Sequence, residues 1–351
     1  MENRKEVMNQ VKVTWRCPSN IAIVKYWGKK GVQIPCNSSL SLTLSNSFTE
    51  VEAELSTKTS NDIVQLAYYF EGELNEQFGA RVSKFLVDNR SFFPFLENNA
   101  ITIHSTNSFP HSAGIASSAS AFGAISLALL DISYELEGKE KDANFYNTAS
   151  NLARLGSGSA SRSMFSRYAM WGENPAISNS SNEHAIEVTD IHPTFQSMKD
   201  AILIVEDEPK KVSSSVGHSL MNNHPYAENR FKQANERTSE LIEILKIGNM
   251  DAFIHLCESE ALTLHAMMMC SMDYYLLVKP GTITAIERLM EFRKENNVPV
   301  CFTLDAGPNV HVLYPKEYEV EVEAFIKNEL ADTYKKVIYD QEGQGPQKMN
   351  S

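Results

Sequence analysis

The sequence predicts an α+β fold divided between two domains. Three observations carry this. The chain has 351 residues, and at about 150 residues per domain that is roughly two domains. Short β-like runs crowd the first hundred residues, whereas long amphipathic helical patterns crowd the second half. Strands and helices also mix without the strict strand–helix–strand alternation of a doubly wound parallel sheet.

Residues 51–56 and 100–104 alternate apolar with polar, and 63–70 is rich in β-branched and aromatic residues, so each reads as a strand. A small-residue helix over 115–130 and a second over 144–155 follow, and the Asn-, Ser- and Pro-rich stretch 174–183 reads as a loop. Residues 201–205 form a buried-strand pattern, and 228–246, 251–268 and 282–296 carry helical periodicity. Strands at 300–304 and 310–314 flank the turn Asp305-Ala306-Gly307-Pro308-Asn309; a charged helix over 316–330, a strand over 336–339 and a polar tail complete the chain. The boundary falls near 185–200, giving domains 1–190 and 191–351. There is no fixed-period repeat and no low-complexity block.

Composition narrows the function class. Lys and Arg total 32 against 44 Asp and Glu, a net charge of −12, which argues against a general nucleic-acid or anionic-membrane binder but leaves room for a local basic pocket. Cys17, Cys36, Cys257, Cys270 and Cys301 lack CxxC spacing and read as scattered reduced thiols. The opening Met1 to Gln10 is polar with no apolar stretch behind it, so the expected location is the cytoplasm. The apolar stretch 266–278 is interrupted by Asp273 and is too short to span a bilayer. Its methionines (Met267, Met268, Met269, Met272) suit a core or a helix interface. The nine histidines show no metal-ligand spacing.

The most informative run is Ser108-Phe109-Pro110-His111-Ser112-Ala113-Gly114-Ile115-Ala116-Ser117-Ser118-Ala119-Ser120. Glycine and small hydroxyl residues lead straight into an apolar helix. Read alone, this is either a capped, tightly packed helix or an anion site, where free N–H groups and the helix dipole meet a phosphate. Lys25 and Lys29 flank Tyr26; on their own they are either a solvated pair or phosphate ligands. Arg162 lies among small hydroxyl residues, either as a surface charge or as a fork for a carboxylate. Asp305 is either an Asx-turn residue or an acid–base group.

The Pro110–Ser120 run resembles the P-x-x-x-G-[LI]-x-S-S-[AS] phosphate loop of the GHMP kinase superfamily. Further segments are similar to the mevalonate diphosphate decarboxylase family within it. They are Cys17-Pro18-Ser19-Asn20 through Lys29, Pro35 to Ser41, Gly156-Ser157-Gly158-Ser159-Ala160-Ser161-Arg162-Ser163, Val212 to Ser215, Asp305 to Asn309 and Gly343 to Gln347. The resemblance implies a two-domain GHMP kinase-type fold with the active site in the cleft between domains. It also implies ATP-dependent conversion of 5-diphosphomevalonate to isopentenyl diphosphate, CO₂, ADP and phosphate, with Mg²⁺ accompanying ATP, and a homodimer. By the same resemblance Asp305, Lys25 and Arg162 are catalytic, Arg162 gripping the departing carboxylate. Tyr26, Trp27, Gly28, Lys29, Arg81, Ser157, Gly158, Ser159, Ala160, Ser161, Ser214 and Ser215 contact substrate. Gly114, Ala116, Ser117, Ser118 and Ser120 hold the nucleotide, with Ser117 or Ser118 completing the magnesium shell and no dedicated metal site. Cys17 stands where the family has Ala, and Ser161 where it more often has Cys. No motif marks an adenine pocket. The rival readings are a 5-phosphomevalonate decarboxylase, a mevalonate 3-kinase-like enzyme and a noncatalytic GHMP-fold binding protein.

Overall fold

The computed structural model describes residues 11–110, 117–207 and 214–350. Its first strand, Lys12–Val24, buries Val13, Trp15 and Cys17 on one face and leaves Lys12 exposed on the other. Beyond Pro18 every residue of the strand is buried. Sequence pattern hides this strand because proline argues against a central strand; a register shift between Pro18 and Asn20 accommodates the ring.

The expected strand at 51–56 is one end of a longer strand, Ser39–Thr57, paired antiparallel with Lys12–Val24. Among the described residues eight strands form this sheet, in the order Gln347–Met349, Lys12–Val24, Ser39–Thr57, Asn99–Asn107, Leu66–Phe70, Glu73–Leu74, with Tyr168–Trp171 and Ile186–Glu187 branching from Ser39–Thr57. The Ser117–Glu137 helix lies against the sheet and packs on the Phe145–Gly156 helix. Ser117–Glu137, rather than 266–278, is the helix long and apolar enough to cross a membrane, and 83% of its apolar window is buried inside the protein. A helix that the sequence pattern did not signal, Glu76–Asp88, is capped by the Asn75 side chain and buries Val82, Phe85 and Leu86; Gly79 in its first turns weakens the helical signal.

The second sheet runs Cys301–Leu304, Val310–Pro315, Met198–Ile204, Lys336–Gln341, antiparallel throughout. Ala227–Ile247, Met250–Met269, Pro280–Asn296 and Glu319–Glu329 are the long helices of this half. The charged helix expected over 316–330 begins instead as a 3₁₀ turn, Lys316–Tyr318, and becomes α-helical from Glu319. The expected polar tail is corrected too: Gln347–Met349 is an edge strand of the first sheet, and Lys348 pairs with Asp131 at 2.8 Å. Its polar side chains carry no burial pattern. The sheets are joined by Asp340, whose carboxylate accepts the N–H groups of Ser45, Asn46 and Ser47 at 2.9, 2.7 and 2.7 Å.

Candidate active site

The Lys12–Val24 strand ends in a turn that carries Lys25, Tyr26, Gly28 and Lys29, and residues from both halves hold that turn. Lys25 donates its backbone N–H to Glu260 at 3.0 Å, Asn37 donates to the Lys25 carbonyl at 3.0 Å, and His218 Nδ1 accepts the Gly28 N–H at 2.9 Å. Gly28 has φ +99°, and a Cβ there would lie 2.7 Å from the Phe231 ring; both demand glycine.

The turn delivers the Lys25 ammonium to the Ala22 carbonyl and, at 3.3 Å, to Asp305 Oδ1. Lys25 is buried, while the Asp305 side chain keeps 27% exposure. Asp305 ends the Cys301–Leu304 strand, and its own carbonyl is pinned twice, by the Gly307 N–H at 2.7 Å and by His265 Nε2 at 3.0 Å. The strand therefore places the carboxylate and the turn fixes its direction.

Arg162 is buried within electrostatic reach of Asp305 and its described bonds are to neutral groups: Ser41 Oγ at 3.1 Å, Ser39 Oγ at 2.6 Å and Asn20 Oδ1 at 3.4 Å. Burial draws its guanidinium down to about 10, with the Asp305 carboxylate pulling the other way, so the charge persists at neutral pH. These bonds use Nε and one N–H on each terminal nitrogen; with five donors in all, one remains on each terminal nitrogen for a carboxylate.

Tyr26 packs edge-on to Trp171 with ring centroids 4.8 Å apart, and its hydroxyl is buried without a hydrogen-bond partner among the described residues. Burial pushes that hydroxyl up, so it remains a donor. A Cβ on Gly158 would lie 2.8 Å from the Tyr26 ring and 2.9 Å from its hydroxyl, which makes glycine necessary there. Lys29 contacts Gln33 Oε1 at 3.2 Å, and burial followed by the nearby Arg81 lowers its ammonium. Arg81 donates to the Gly156 carbonyl at 3.2 Å and lies 4.8 Å over the Phe122 ring. Despite the acidic chain, Lys25, Lys29, Arg81 and Arg162 leave this region rich in cations.

The Ser118 and Ser157 hydroxyls are 3.1 Å apart. Ser117, Ser118 and Arg81 also line a cavity of about 410 Å³ with Tyr68, Phe78 and Asn107. Its wall is assembled from two strands and two helices, Leu66–Phe70, Asn99–Asn107, Glu76–Asp88 and Ser117–Glu137, so no contiguous motif marks it. Among the described residues no cluster of three or more His, Cys, Asp or Glu could hold a metal ion.

Other expected contact residues either fall outside the described residues or make their described bonds within the protein. Gly114 and Ala116 are outside the described residues, and for Ser214 and Ser215 only the backbone of the Ser214–Ser219 helix is described. Ser120 is buried against Thr49 Oγ1 at 2.6 Å, Ala160 sits in the first core and Ser161 donates back to the Gly158 carbonyl at 2.8 Å. Trp27 packs with Met221, Leu264 and Met268, so it joins the two halves through apolar contact. Met268 thus fulfils the packing role expected of the methionine run, whereas Met272 is 93% exposed. Ser159 offers its carbonyl to Asn20 at 3.1 Å.

Sequence periodicity did not single out Glu260. It is fully buried on the Met250–Met269 helix, gripped by Arg230 at 2.8 and 2.6 Å and by Arg237 at 2.8 Å. Glu260→Gln leaves the buried Arg230 guanidinium and the partly buried Arg237 guanidinium short of charge and is expected to lower unfolding free energy by about 3–5 kcal/mol, measured by denaturant titration. Burial pushes the Glu260 carboxyl up, but Arg230 and Arg237 outweigh it and hold it below the ordinary 4.5. This stabilisation is therefore complete above that pH and is lost as pH falls through the lowered value.

A family model described as "Diphosphomevalonate decarboxylase-like N-terminal domain" matches residues 17–182, and one described as "Mevalonate 5-diphosphate decarboxylase C-terminal domain" matches residues 201–349. The diphosphomevalonate decarboxylase of Debaryomyces hansenii is 30% identical over 320 residues, covering 87% of this chain and 80% of that protein. The Saccharomyces cerevisiae diphosphomevalonate decarboxylase is 29% identical over 329 residues, covering 88% and 79%. Among solved structures, mevalonate diphosphate decarboxylase from Staphylococcus aureus superposes with TM-score 0.83 at 25% identity, covering 97% of this chain and 98% of that one. A structure described as MDDEF in complex with MVAPP, AMPPCP and magnesium gives TM-score 0.81 at 25% identity, covering 97% and 100%. With both halves matched and the two-domain GHMP-type architecture reproduced almost end to end, this chain belongs to the diphosphomevalonate decarboxylase family.

Proposed function

We propose that the chain decarboxylates 5-diphosphomevalonate to isopentenyl diphosphate, consuming ATP and releasing ADP, phosphate and CO₂. The observation that carries the reading is the 3.3 Å contact of buried Lys25 with Asp305, beside the Arg162 guanidinium that is bonded only to neutral groups among the described residues. Asp305 accepts the proton of the substrate 3-hydroxyl as that oxygen attacks the γ-phosphorus of ATP. Lys25 directs the Asp305 carboxylate through their 3.3 Å contact. The new phosphate then leaves with the C3–O electron pair. The C1–C2 pair becomes the alkene bond, and the carboxylate held by Arg162 departs as CO₂. Tyr26, Lys29 and Arg81 bind the diphosphate, and the hydroxyls of Ser214 and Ser215 belong to the same assignment.

Ser117 and Ser118 supply hydroxyl oxygens at the mouth of the cavity, the hard-donor chemistry that Mg²⁺ takes alongside nucleotide phosphates. When bound, Mg²⁺ neutralises phosphate charge during transfer. The reading extends to a cytoplasmic homodimer with domains 1–190 and 191–351; the free thiols suit a reducing compartment, and a monomeric mass in light scattering overturns the dimer.

The primary test incubates purified protein with ATP and, separately, mevalonate, 5-phosphomevalonate and 5-diphosphomevalonate, measuring ADP and CO₂. Stoichiometric release from 5-diphosphomevalonate alone is expected; release from the monophosphate, or ADP without CO₂, overturns the reading. Lys29→Ala should raise KM for 5-diphosphomevalonate, and Ser118→Ala KM for ATP, each by about 10- to 150-fold, the value of a charge-assisted hydrogen bond. Unchanged constants in both variants refute the assignments.

A further inference from the structure

His218 has no part in the chemistry above, yet it touches Tyr26, Trp27 and Gly28, three successive residues of the turn assigned to the diphosphate. Its Nδ1 accepts the Gly28 N–H at 2.9 Å, and its ring lies 4.3 Å from the Tyr26 ring and 4.8 Å from the Trp27 ring. The side chain is buried. It belongs to the Ser214–Ser219 helix, whose first residues are the serines that the sequence assigns to the same diphosphate. The neighbouring Gly217 allows the approach: a Cβ there would lie 2.4 Å from the Trp27 ring and 2.7 Å from the Tyr275 hydroxyl.

We propose that His218 is a positioning residue for diphosphate recognition. It latches the Trp27–Gly28 peptide of the first half to the Ser214–Ser219 helix of the second, so that Tyr26 and Lys29 face that helix across one anion. This rests on the function proposed above. Burial and then the Lys29 charge hold the imidazole down to about 3, so it stays neutral, with Nδ1 free to accept, throughout the working range. A protonated ring would donate at Nδ1 and could not take the Gly28 N–H. Without the acceptor, the Gly28 N–H has no counterpart in this packed turn, and the turn loses its register with the helix.

The test compares His218→Leu with His218→Asn, whose Oδ1 restores an acceptor at the same distance from Cβ. His218→Leu is expected to raise KM for 5-diphosphomevalonate about tenfold, the cost of a buried donor left unpaired, while kcat and KM for ATP stay near wild type, the signature of lost uniform binding. His218→Asn should return KM most of the way. Titration of tryptophan fluorescence with inorganic diphosphate should show the same order of affinities. If His218→Leu does not fold, His218→Gln, with its acceptor one bond too far, takes its place. Unchanged KM and diphosphate affinity in the Leu variant, an Asn variant as weak as Leu, or wild-type protein that does not bind inorganic diphosphate each overturn the latch. Wild-type protein that binds inorganic diphosphate but releases no CO₂ from 5-diphosphomevalonate refutes the proposed function instead, and the fluorescence titration then decides the latch by itself.

Discussion

Asp305→Asn is expected to bind ATP and 5-diphosphomevalonate with near wild-type affinity and to lose turnover by about 10²- to 10⁴-fold, the usual worth of a positioned general base. Asparagine matches aspartate in size, and Gly307 N–H and His265 Nε2 hold the carbonyl of this residue, a backbone anchor that the substitution leaves in place. What changes is charge. The amide cannot take the 3-hydroxyl proton, and Lys25, buried 3.3 Å from Oδ1, loses its ionic partner there. Both losses act on phosphoryl transfer, the first step, so ADP and CO₂ should fall together. Binding measured by fluorescence alongside steady-state release of both products checks this. An Asp305→Asn protein with wild-type ADP and CO₂ output would show that another group removes the proton.

How far the site was legible in sequence depended on the kind of residue. Asp305, Lys25 and Arg162 lie in compact motifs whose chemistry constrains several consecutive positions, and the fold brings all three together although Lys25 and Asp305 are 280 residues apart. Residues that act through packing were not legible in this way. Glu260 and His218 sit on helices where nothing in the 3.6-residue period distinguishes a buried carboxylate or imidazole from a solvated one; only their partners, Arg230 and the Gly28 N–H, reveal the role. Trp27 and Ser120 show the other side of this. Each stands inside a recognisable motif, yet its side chain turns away to fill an apolar cluster or to bond to Thr49, because a motif fixes backbone position and leaves each side chain to its neighbours. Similarly, alternation was enough to identify 51–56 as a strand but not its extension to Ser39, where both faces are buried and the period-2 signal vanishes.

Arg162→Gln should lower kcat/KM for 5-diphosphomevalonate by roughly 30- to several-thousand-fold, the range for removing one partner of a buried, hydrogen-bonded charge pair. Its more discriminating effect is on stoichiometry. Phosphorylation at the 3-oxygen needs Asp305, whereas loss of CO₂ needs the carboxylate held so that the C1–C2 bond can feed electrons toward C3. Arg162 is suited to a passing anion. Its described bonds are to Ser39, Ser41 and Asn20, neutral groups that orient the fork without neutralising it. An acidic partner would leave less attraction for the substrate, and stronger neutralisation of the substrate carboxylate would hold back the electron pair that must leave it. With glutamine the carboxylate is poorly held after phosphorylation, so in a stepwise reaction ADP should exceed CO₂. Arg162→Lys, which keeps the charge but loses the planar fork, should fall between wild type and Gln in both kcat/KM and product ratio. Quantifying ADP and CO₂ from the same reaction vessel reads this directly. A strict one-to-one ratio in Arg162→Gln, with kcat/KM unchanged, would remove Arg162 from the carboxylate and leave the site without a group for the leaving CO₂.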